Sequence, residues 1–194
     1  GYSPEDIRAL AGFADKIIFN SVSQLETYYP LVQNKPLGLR VNPGFSCSHF
    51  DLADPARRYS RLGVVDRNLL QQQVPRLSGL MFHYNCENDD LATFSQQLDQ
   101  IGAFYGDILK QMRWVSLGGG LYFTKEGYPV DDFSKKLAEF ASRYDVQVYL
   151  EPGESAITGS TELVTRVVDI VHNEIDIAIV DASVEAHMLD LLIY

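Results

Sequence analysis

Short apolar runs alternate with amphipathic stretches along the first three quarters of the chain. The runs predict five strands, at residues 16–20, 36–42, 77–84, 114–120 and 147–153. The stretches between them predict helices, most clearly at 3–14, 22–29, 89–111 and 131–144, with Ser3 and Asp131 as candidate N-caps. The strand runs are apolar without alternation, which is typical of strands buried on both faces of a parallel sheet.

This alternation of strands and helices predicts an α/β fold. From the third strand onward, strands follow one another at intervals of roughly 30 to 40 residues with a helix between them, which is the spacing of βα units. We interpret the pattern as part of a parallel (β/α)8 barrel of the TIM type. A doubly wound open sheet is the alternative that the same pattern allows.

The pattern changes after Gly159. Two segments rich in β-branched residues, 163–172 and 175–184, are separated only by Asn173 and Glu174. Two residues are too few for a helical crossover, so the segments predict a hairpin. We expect this hairpin to start an antiparallel β region.

Two parts are therefore expected in this chain. Residues 1–158 form a partial barrel, and residues 159–194 begin a C-terminal β domain. The chain ends on an apolar stretch, 191–194, without a polar tail. We expect it to be a fragment of a longer protein.

Composition narrows the candidate functions. The 194 residues are 46% apolar, enough for a buried core, and the formal net charge is −10. Such a charge opposes binding to nucleic acid and suits a cationic substrate. The apolar runs are too short to span a bilayer, and the N-terminus lacks the basic and apolar regions of a signal peptide. We expect a cytoplasmic protein.

Two cysteines, Cys47 and Cys86, are the only ones in the sequence. Without a secretory signal, two free thiols are favoured over a disulfide. The stretch 47–51 contains Cys, His and Asp, but it predicts a solvated loop better than a metal site. No metal is expected.

Each predicted strand stops on polar or glycine residues. The active site of a parallel barrel forms at the C-terminal ends of its strands, so these residues are the candidates for function. They are Asn20 and Ser21; Arg40 and Asn42; His83, Asn85 and Cys86; Gly118, Gly119 and Gly120; and Glu151, Gly153 and Glu154.

Three of these groups suggest specific chemistry. Three successive glycines expose backbone N–H groups that can wrap a phosphate, although a tight packed turn uses glycines equally well. The ring of His83 can stack on a planar cofactor or be a hydrogen-bonded core residue. Glu151 is placed to pair with a cation, either a protonated pyridine nitrogen or the guanidinium of Arg40.

Taken in order, these residues resemble the fold III pyridoxal-phosphate decarboxylases, whose barrel is alanine racemase-like. The resemblance is strongest to the branch of carboxynorspermidine and carboxyspermidine decarboxylases. It is carried by residues 38–43, 60–63, 79–87, 117–120, 151–154 and 180–183. The motifs His-x-Asn-Cys-Glu and Glu-Pro-Gly-Glu are the most specific to this branch.

The resemblance implies roles for the residues at the strand ends. His83 and Glu151 would be catalytic: His83 stacks on the pyridine ring of pyridoxal 5′-phosphate and Glu151 pairs with its nitrogen, supported by Arg40. The phosphate would lie against Gly118, Gly119, Gly120, Gly153 and Glu154, with Cys86 nearby. An arginine usually stands at the position of Glu154 in the wider group, and an acid there can instead face a cationic substrate.

The resemblance also implies an activity for the parent protein. It would remove the carboxylate of carboxynorspermidine or carboxyspermidine in polyamine biosynthesis, as a homodimer. The Schiff-base lysine and the C-terminal catalytic cysteine of the group match no residue of this chain, so the fragment itself is expected to be inactive. The alternatives are a decarboxylase of diaminopimelate, ornithine or arginine, a noncatalytic barrel that binds the cofactor, and a barrel enzyme acting on a sugar phosphate.

Overall fold

The structure, a computed structural model, describes residues 2–48 and 51–192. The chain divides into two compact units, Gly1–Ala156 and Ile157–Tyr194. The helices are α1 Pro4–Phe13, α2 Val22–Val32, α3 Arg67–Gln73, α4 Leu91–Leu109, α5 Val130–Tyr144, α6 Glu154–Ile157 and α7 Val184–His187. The strands are β1 Ile17–Phe19, β2 Leu37–Val41, β3 Gly79–Phe82, β4 Trp114–Ser116, β5 Gln147–Tyr149, β6 Val167–Asn173 and β7 Ile175–Val180. Short 3₁₀ turns lie at Val74–Arg76 and Leu189–Leu192.

Strands β1 to β5 form one parallel sheet in sequential order. One face of the sheet packs against the helices, and its Leu39, Leu80 and Val115 are completely buried. The prediction of a parallel α/β fold is confirmed. Among the described residues, no helix has the length and apolarity needed to cross a membrane.

Local sequence signals explain most of the helix boundaries. Ser3 and Asp6 form a reciprocal capping box at the start of α1, as the predicted N-cap requires. The prediction of Asp131 as the N-cap of α5 is wrong. The helix starts one residue earlier, the carbonyl of Pro129 accepts from the Phe133 N–H, and Asp131 lies in the first turn, where its charge complements the helix dipole.

The strands are shorter than predicted at their carboxyl ends. Strand β4 ends at Ser116 rather than at Gly120, and β5 ends at Tyr149 rather than at Gly153. Two hydrogen bonds continue the pairing beyond them, from Leu117 N to Tyr149 O and from Glu151 N to Gly118 O, each 2.9 Å. The chain therefore enters the candidate site while still tied to the sheet.

On the other face of the sheet, the indole ring of Trp114 packs over two glycines of β2 and β3. Gly38, Gly79 and Trp114 are paired neighbours on β2, β3 and β4. A Cβ added at either glycine would overlap the Trp114 indole. The glycines are therefore required by close packing across the sheet rather than by backbone conformation.

We expect Gly79→Ala to lower the free energy of unfolding of the full-length protein by about 1–3 kcal/mol, the usual cost of overpacking. In a Trp114→Phe background the smaller ring should reduce that cost, as urea denaturation in a double-mutant cycle would measure. Gly12→Ala is the control, because no atom lies within 4 Å of the added Cβ. Equal costs of Gly79→Ala in both backgrounds would contradict this packing argument.

In the second unit, β6 and β7 pair antiparallel, with Asn173 opposite Ile175. This confirms the predicted hairpin, in which Glu174 occupies the turn with a φ of 62°. Apolar side chains of both strands are exposed, including Ile170 and Ile175. How the two units divide the parent protein into domains stays a prediction.

Candidate active site

Four adjacent strands each direct one functional side chain to the same face of the sheet. Arg40 on β2 and Ser116 on β4 stand in one row of the pairing, together with Met81 of β3. On β5, Tyr149 pairs with Ser116 in the same row. His83 lies two residues after Met81, and Glu151 lies two residues after Tyr149. Because side chains alternate along a strand, all four project from one face near the carboxyl ends.

Glu151 is anchored by a buried serine. The Ser116 hydroxyl donates a short hydrogen bond to Glu151 Oε1, at 2.5 Å. The Ser116 hydroxyl oxygen also accepts from the Gly118 N–H at 3.2 Å. Ser116 was missed by the sequence analysis, which considered only the residues at the carboxyl end of each predicted strand. The sequence did contain a signal for Ser116, because a serine stands in an otherwise apolar strand two residues before Gly118.

Arg40 and His83 both interact electrostatically with Glu151. Burial lowers the pKa of Arg40, while the Glu151 carboxylate opposes that shift. Burial also lowers the pKa of His83, the Arg40 charge lowers it further, and Glu151 acts in the opposite direction. The lowered pKa therefore favours the neutral form of the His83 ring.

The lowered pKa of His83 predicts a pH dependence of stability. In the unfolded chain His83 has a pKa near 6.5, whereas in the folded protein its pKa is lower. Below pH 6.5 the unfolded chain therefore binds a proton more readily than the folded protein does. The free energy of unfolding falls as the pH drops from 6.5 through the pKa of the folded state. His83→Gln should remove this contribution. Denaturation of the full-length apoprotein at neutral and acid pH would measure it, with exposed His172→Gln as the control; a parallel acid loss in wild type and His83→Gln would contradict the assignment.

The three glycines form a loop pressed between the ends of β3 and β5. Gly118 and Gly120 have φ values of 69° and 74°, which disfavour other residues. A Cβ at Gly118 would lie 2.6 Å from His83 Nδ1, and the Gly119 N–H approaches the same nitrogen at 3.4 Å. The loop thus brings its backbone amides to the edge of the His83 ring.

Hydrogen bonds join the loops that follow β3, β4 and β5. Buried Asn88 donates its N–H to Gly120 O at 2.9 Å and accepts from the Tyr122 N–H at 2.9 Å. The Tyr122 hydroxyl in turn donates to Glu154 Oε2 at 2.9 Å. These contacts place Glu154 beside the glycine loop, and Gly153, which precedes it, is exposed.

The two cysteines are free and are neighbours along the backbone pairing. The Cys86 N–H donates to Cys47 O at 2.8 Å. Burial raises the pKa of both thiols, and nearby carboxylates raise it further. A contact between Cys86 and a phosphate stays a prediction, as do the phosphate contacts of Gly153 and Glu154.

Other polar strand ends have structural roles. The Asn20 side chain donates to Arg61 O at 2.9 Å and accepts from the Gly63 N–H at 3.1 Å, so it orders the loop after β2. Lys16 lies over the Tyr149 ring, 4.8 Å from its centroid, at the amino end of β1. His49, in the stretch weighed as a metal site, lies outside the described residues.

The described residues fit a flat, anionic cofactor. The loop of glycine residues 118–120 lies between the His83 ring on one side and Glu151, which Ser116 anchors, on the other. Pyridoxal 5′-phosphate has matching parts: a planar ring, a protonatable nitrogen and a phosphate. Glu151 is exposed, so its carboxylate is accessible from the open face of the sheet.

Known proteins are similar to this chain in sequence and in fold. A carboxynorspermidine/carboxyspermidine decarboxylase from Herminiimonas arsenicoxydans is 50% identical over 193 residues, covering 100% of this chain and 53% of the relative. The chain is a homologue of these decarboxylases. A carboxyaminopropylagmatine decarboxylase from Synechocystis is 34% identical, and the match covers 98% of this chain and 50% of the relative.

A solved structure agrees with the fold of the homologue. Carboxynorspermidine decarboxylase from Campylobacter jejuni, complexed with norspermidine, superposes with a TM-score of 0.86 and 36% identity over 100% of this chain and 50% of that one. The predicted resemblance and the alanine racemase-like fold class are confirmed. No protein-family model matches the chain. The chain spans about half the length of the curated relatives it matches.

Proposed function

We propose that the full-length protein is a pyridoxal-phosphate-dependent decarboxylase that converts carboxynorspermidine or carboxyspermidine to the corresponding polyamine. The main observation in its support is that Ser116 holds the Glu151 carboxylate by a hydrogen bond of 2.5 Å, beside His83 and the glycine loop. The 50% identity to a carboxynorspermidine/carboxyspermidine decarboxylase supports the same activity.

The residues of this chain would hold each part of the cofactor. When bound, pyridoxal phosphate supplies a ring that absorbs the electron pair released as CO2 leaves. Glu151 would keep the proton on the ring nitrogen, and the positive charge of Arg40, which interacts electrostatically with Glu151, would support the carboxylate. His83 would stack on the ring, because its lowered pKa keeps it neutral and its position faces the glycine loop.

The phosphate would lie against the glycine loop. Backbone N–H groups bind anions without requiring a side-chain charge, and residues 118–120 approach too closely to their neighbours to carry side chains. Gly153 and Cys86 would line the same end. Glu154, engaged by Tyr122, would face the cationic part of the substrate rather than the phosphate.

A cationic substrate suits the carboxylates around the site. Burial raises the pKa of Cys86, a hydrogen bond with Ser48 opposes that shift, and the charges of Glu87, Asp54 and Glu154 raise the pKa further. The raised pKa of Cys47 likewise reflects burial and then Asp90 and Asp89. These carboxylates would give the loops at the carboxyl ends of the strands a negative electrostatic potential, which would attract the ammonium groups of the substrate. The net charge of −10 acts in the same direction.

We further propose that the protein is a cytoplasmic homodimer, that it binds neither nucleic acid nor a membrane, and that residues 1–158 and 159–194 belong to two domains. The homology to biosynthetic enzymes supports the location. The relatives' greater length leaves room for the rest of the barrel and the β domain.

A substrate panel tests the function. The full-length protein, supplied with pyridoxal phosphate, should release CO2 from carboxynorspermidine or carboxyspermidine faster than from carboxyaminopropylagmatine, diaminopimelate, ornithine or arginine. Carboxyaminopropylagmatine is the second candidate, because a relative named for it is 34% identical. Failure to bind the cofactor would reject the proposal, and preference for another amino acid would correct the substrate.

A further inference from the structure

Ser116 is the one hydroxyl-bearing residue of β4. It is 2% exposed. Its neighbours in the sheet, Met81 and Tyr149, fix its backbone from both sides. A buried hydroxyl in an apolar strand costs free energy unless it is hydrogen-bonded, so its partners identify its role.

The hydroxyl connects two parts of the candidate site. A serine hydroxyl has one proton to donate and lone pairs to accept with. Here the proton goes to Glu151 Oε1 at 2.5 Å, and a lone pair accepts from the Gly118 N–H at 3.2 Å. One atom therefore fixes both the carboxylate and the first amide of the glycine loop.

Glu151 needs such an anchor. It follows β5, it is exposed, and a free glutamate side chain samples many rotamers. Arg40, on β2, is three strands away from β5 and attracts the carboxylate through charge. Only the bond to Ser116 gives the carboxylate a fixed direction among the interactions found in the described residues.

We propose that Ser116 is a positioning residue that couples the two ends of the cofactor site, aligning Glu151 for the ring nitrogen and Gly118 for the phosphate loop. The inference rests on the proposed use of pyridoxal phosphate at this site. Ser116 itself touches neither the substrate nor the cofactor in this assignment; it acts through Glu151 and Gly118.

The test compares two hydrogen-bonded serines in the full-length protein, the buried Ser116 of β4 and the half-buried Ser78 directly before β3. Ser116→Ala removes the coupling hydroxyl, and Ser116→Thr restores a hydroxyl at the same place. Ser78→Ala is the matched control, because Ser78 also donates one bond, to Leu37 O, and accepts one, from Trp114 Nε1, both 3.1 Å, at the amino end of the sheet.

Two measurements separate positioning from general stability. In the apoprotein, Ser116→Ala should speed amide hydrogen exchange at Gly118 by about tenfold, the effect of losing one hydrogen bond of ordinary strength. With ¹⁵N-labelled pyridoxal phosphate, the ring-nitrogen signal should shift toward the unprotonated form, and the dissociation constant should rise by about 10–100-fold, as for other supporting contacts. Ser116→Thr should recover most of both effects, and Ser78→Ala should show neither.

Wild-type exchange and an unchanged nitrogen signal in Ser116→Ala would overturn the coupling, as would equal effects in Ser78→Ala. A wild-type protein that binds no pyridoxal phosphate would reject the proposed function. The exchange at Gly118 would then still report whether Ser116 orders the loop, so the two failures are distinguishable.

Discussion

Glu151→Gln is expected to lower kcat of the full-length enzyme by about 10²–10³-fold, the scale of losing one preorganised electrostatic partner. Glutamine keeps the shape and can still accept from Ser116 Oγ. It cannot hold a proton on the ring nitrogen by charge, so the ring loses capacity to absorb electrons. The KM should change far less than kcat, because the substrate's ammonium groups meet other residues.

Two variants control this experiment. Glu151→Asp keeps the charge but shortens the reach, so its kcat should fall between wild type and Glu151→Gln. Glu139→Gln removes an exposed charge on α5, away from the strand ends, and should behave as wild type. Steady-state kinetics by CO2 release would measure all three. A Glu151→Gln enzyme within about threefold of wild type would remove Glu151 from the catalytic assignment.

Gly120→Ala should cause the largest loss of stability among single methyl additions at the site. Its φ of 74° disfavours alanine, and the added Cβ would overlap the carbonyl oxygen of Asn85. The conformational and packing costs together amount to about 2–5 kcal/mol in the free energy of unfolding. Because Asn85 contributes backbone rather than a flexible side chain, the neighbour has little freedom to move aside.

The chain contains a matched control for the conformational part. Gly127 has a φ of 78°, yet no atom lies within 4 Å of its added Cβ. Gly127→Ala should therefore cost about 1–2 kcal/mol, from backbone conformation alone. Urea denaturation of the two full-length apoproteins would give the difference. Equal losses of stability in the two variants would show that the glycine loop is not closely packed. We also expect the affinity for the cofactor to fall in Gly120→Ala and to stay unchanged in Gly127→Ala.

Much of the site follows from one sequence rule. Residues that end parallel strands meet at one edge of a sheet, so Arg40, His83, the glycines and Glu151 were predictable as neighbours once the strands were recognised. The rule failed for Asn20, which ends a strand equally well but bonds the backbone at Arg61 and Gly63. A sequence pattern does not show whether a polar strand end meets a ligand or a loop.

Helix α3 shows another limit of the sequence. Residues 67–73 carry a run of polar side chains, and the analysis predicted no element there. Asp66 caps the helix by accepting from Asn68 N and Leu69 N, and Leu70 is buried. Packing of one apolar residue against the core stabilises a segment whose hydrophobic periodicity is too short to recognise.

The sequence by itself determined the succession of strands and helices, the hairpin after residue 159 and the set of strand-end residues, because periodicity and turn residues are local properties. Only the tertiary structure identified Ser116, since its importance depends on Glu151, 35 residues later, meeting its hydroxyl across paired strands. It alone also showed why the glycines are needed. Gly79 makes room for a ring on the next strand, and Gly120 for a carbonyl of another loop, and such distances are set by how the strands assemble.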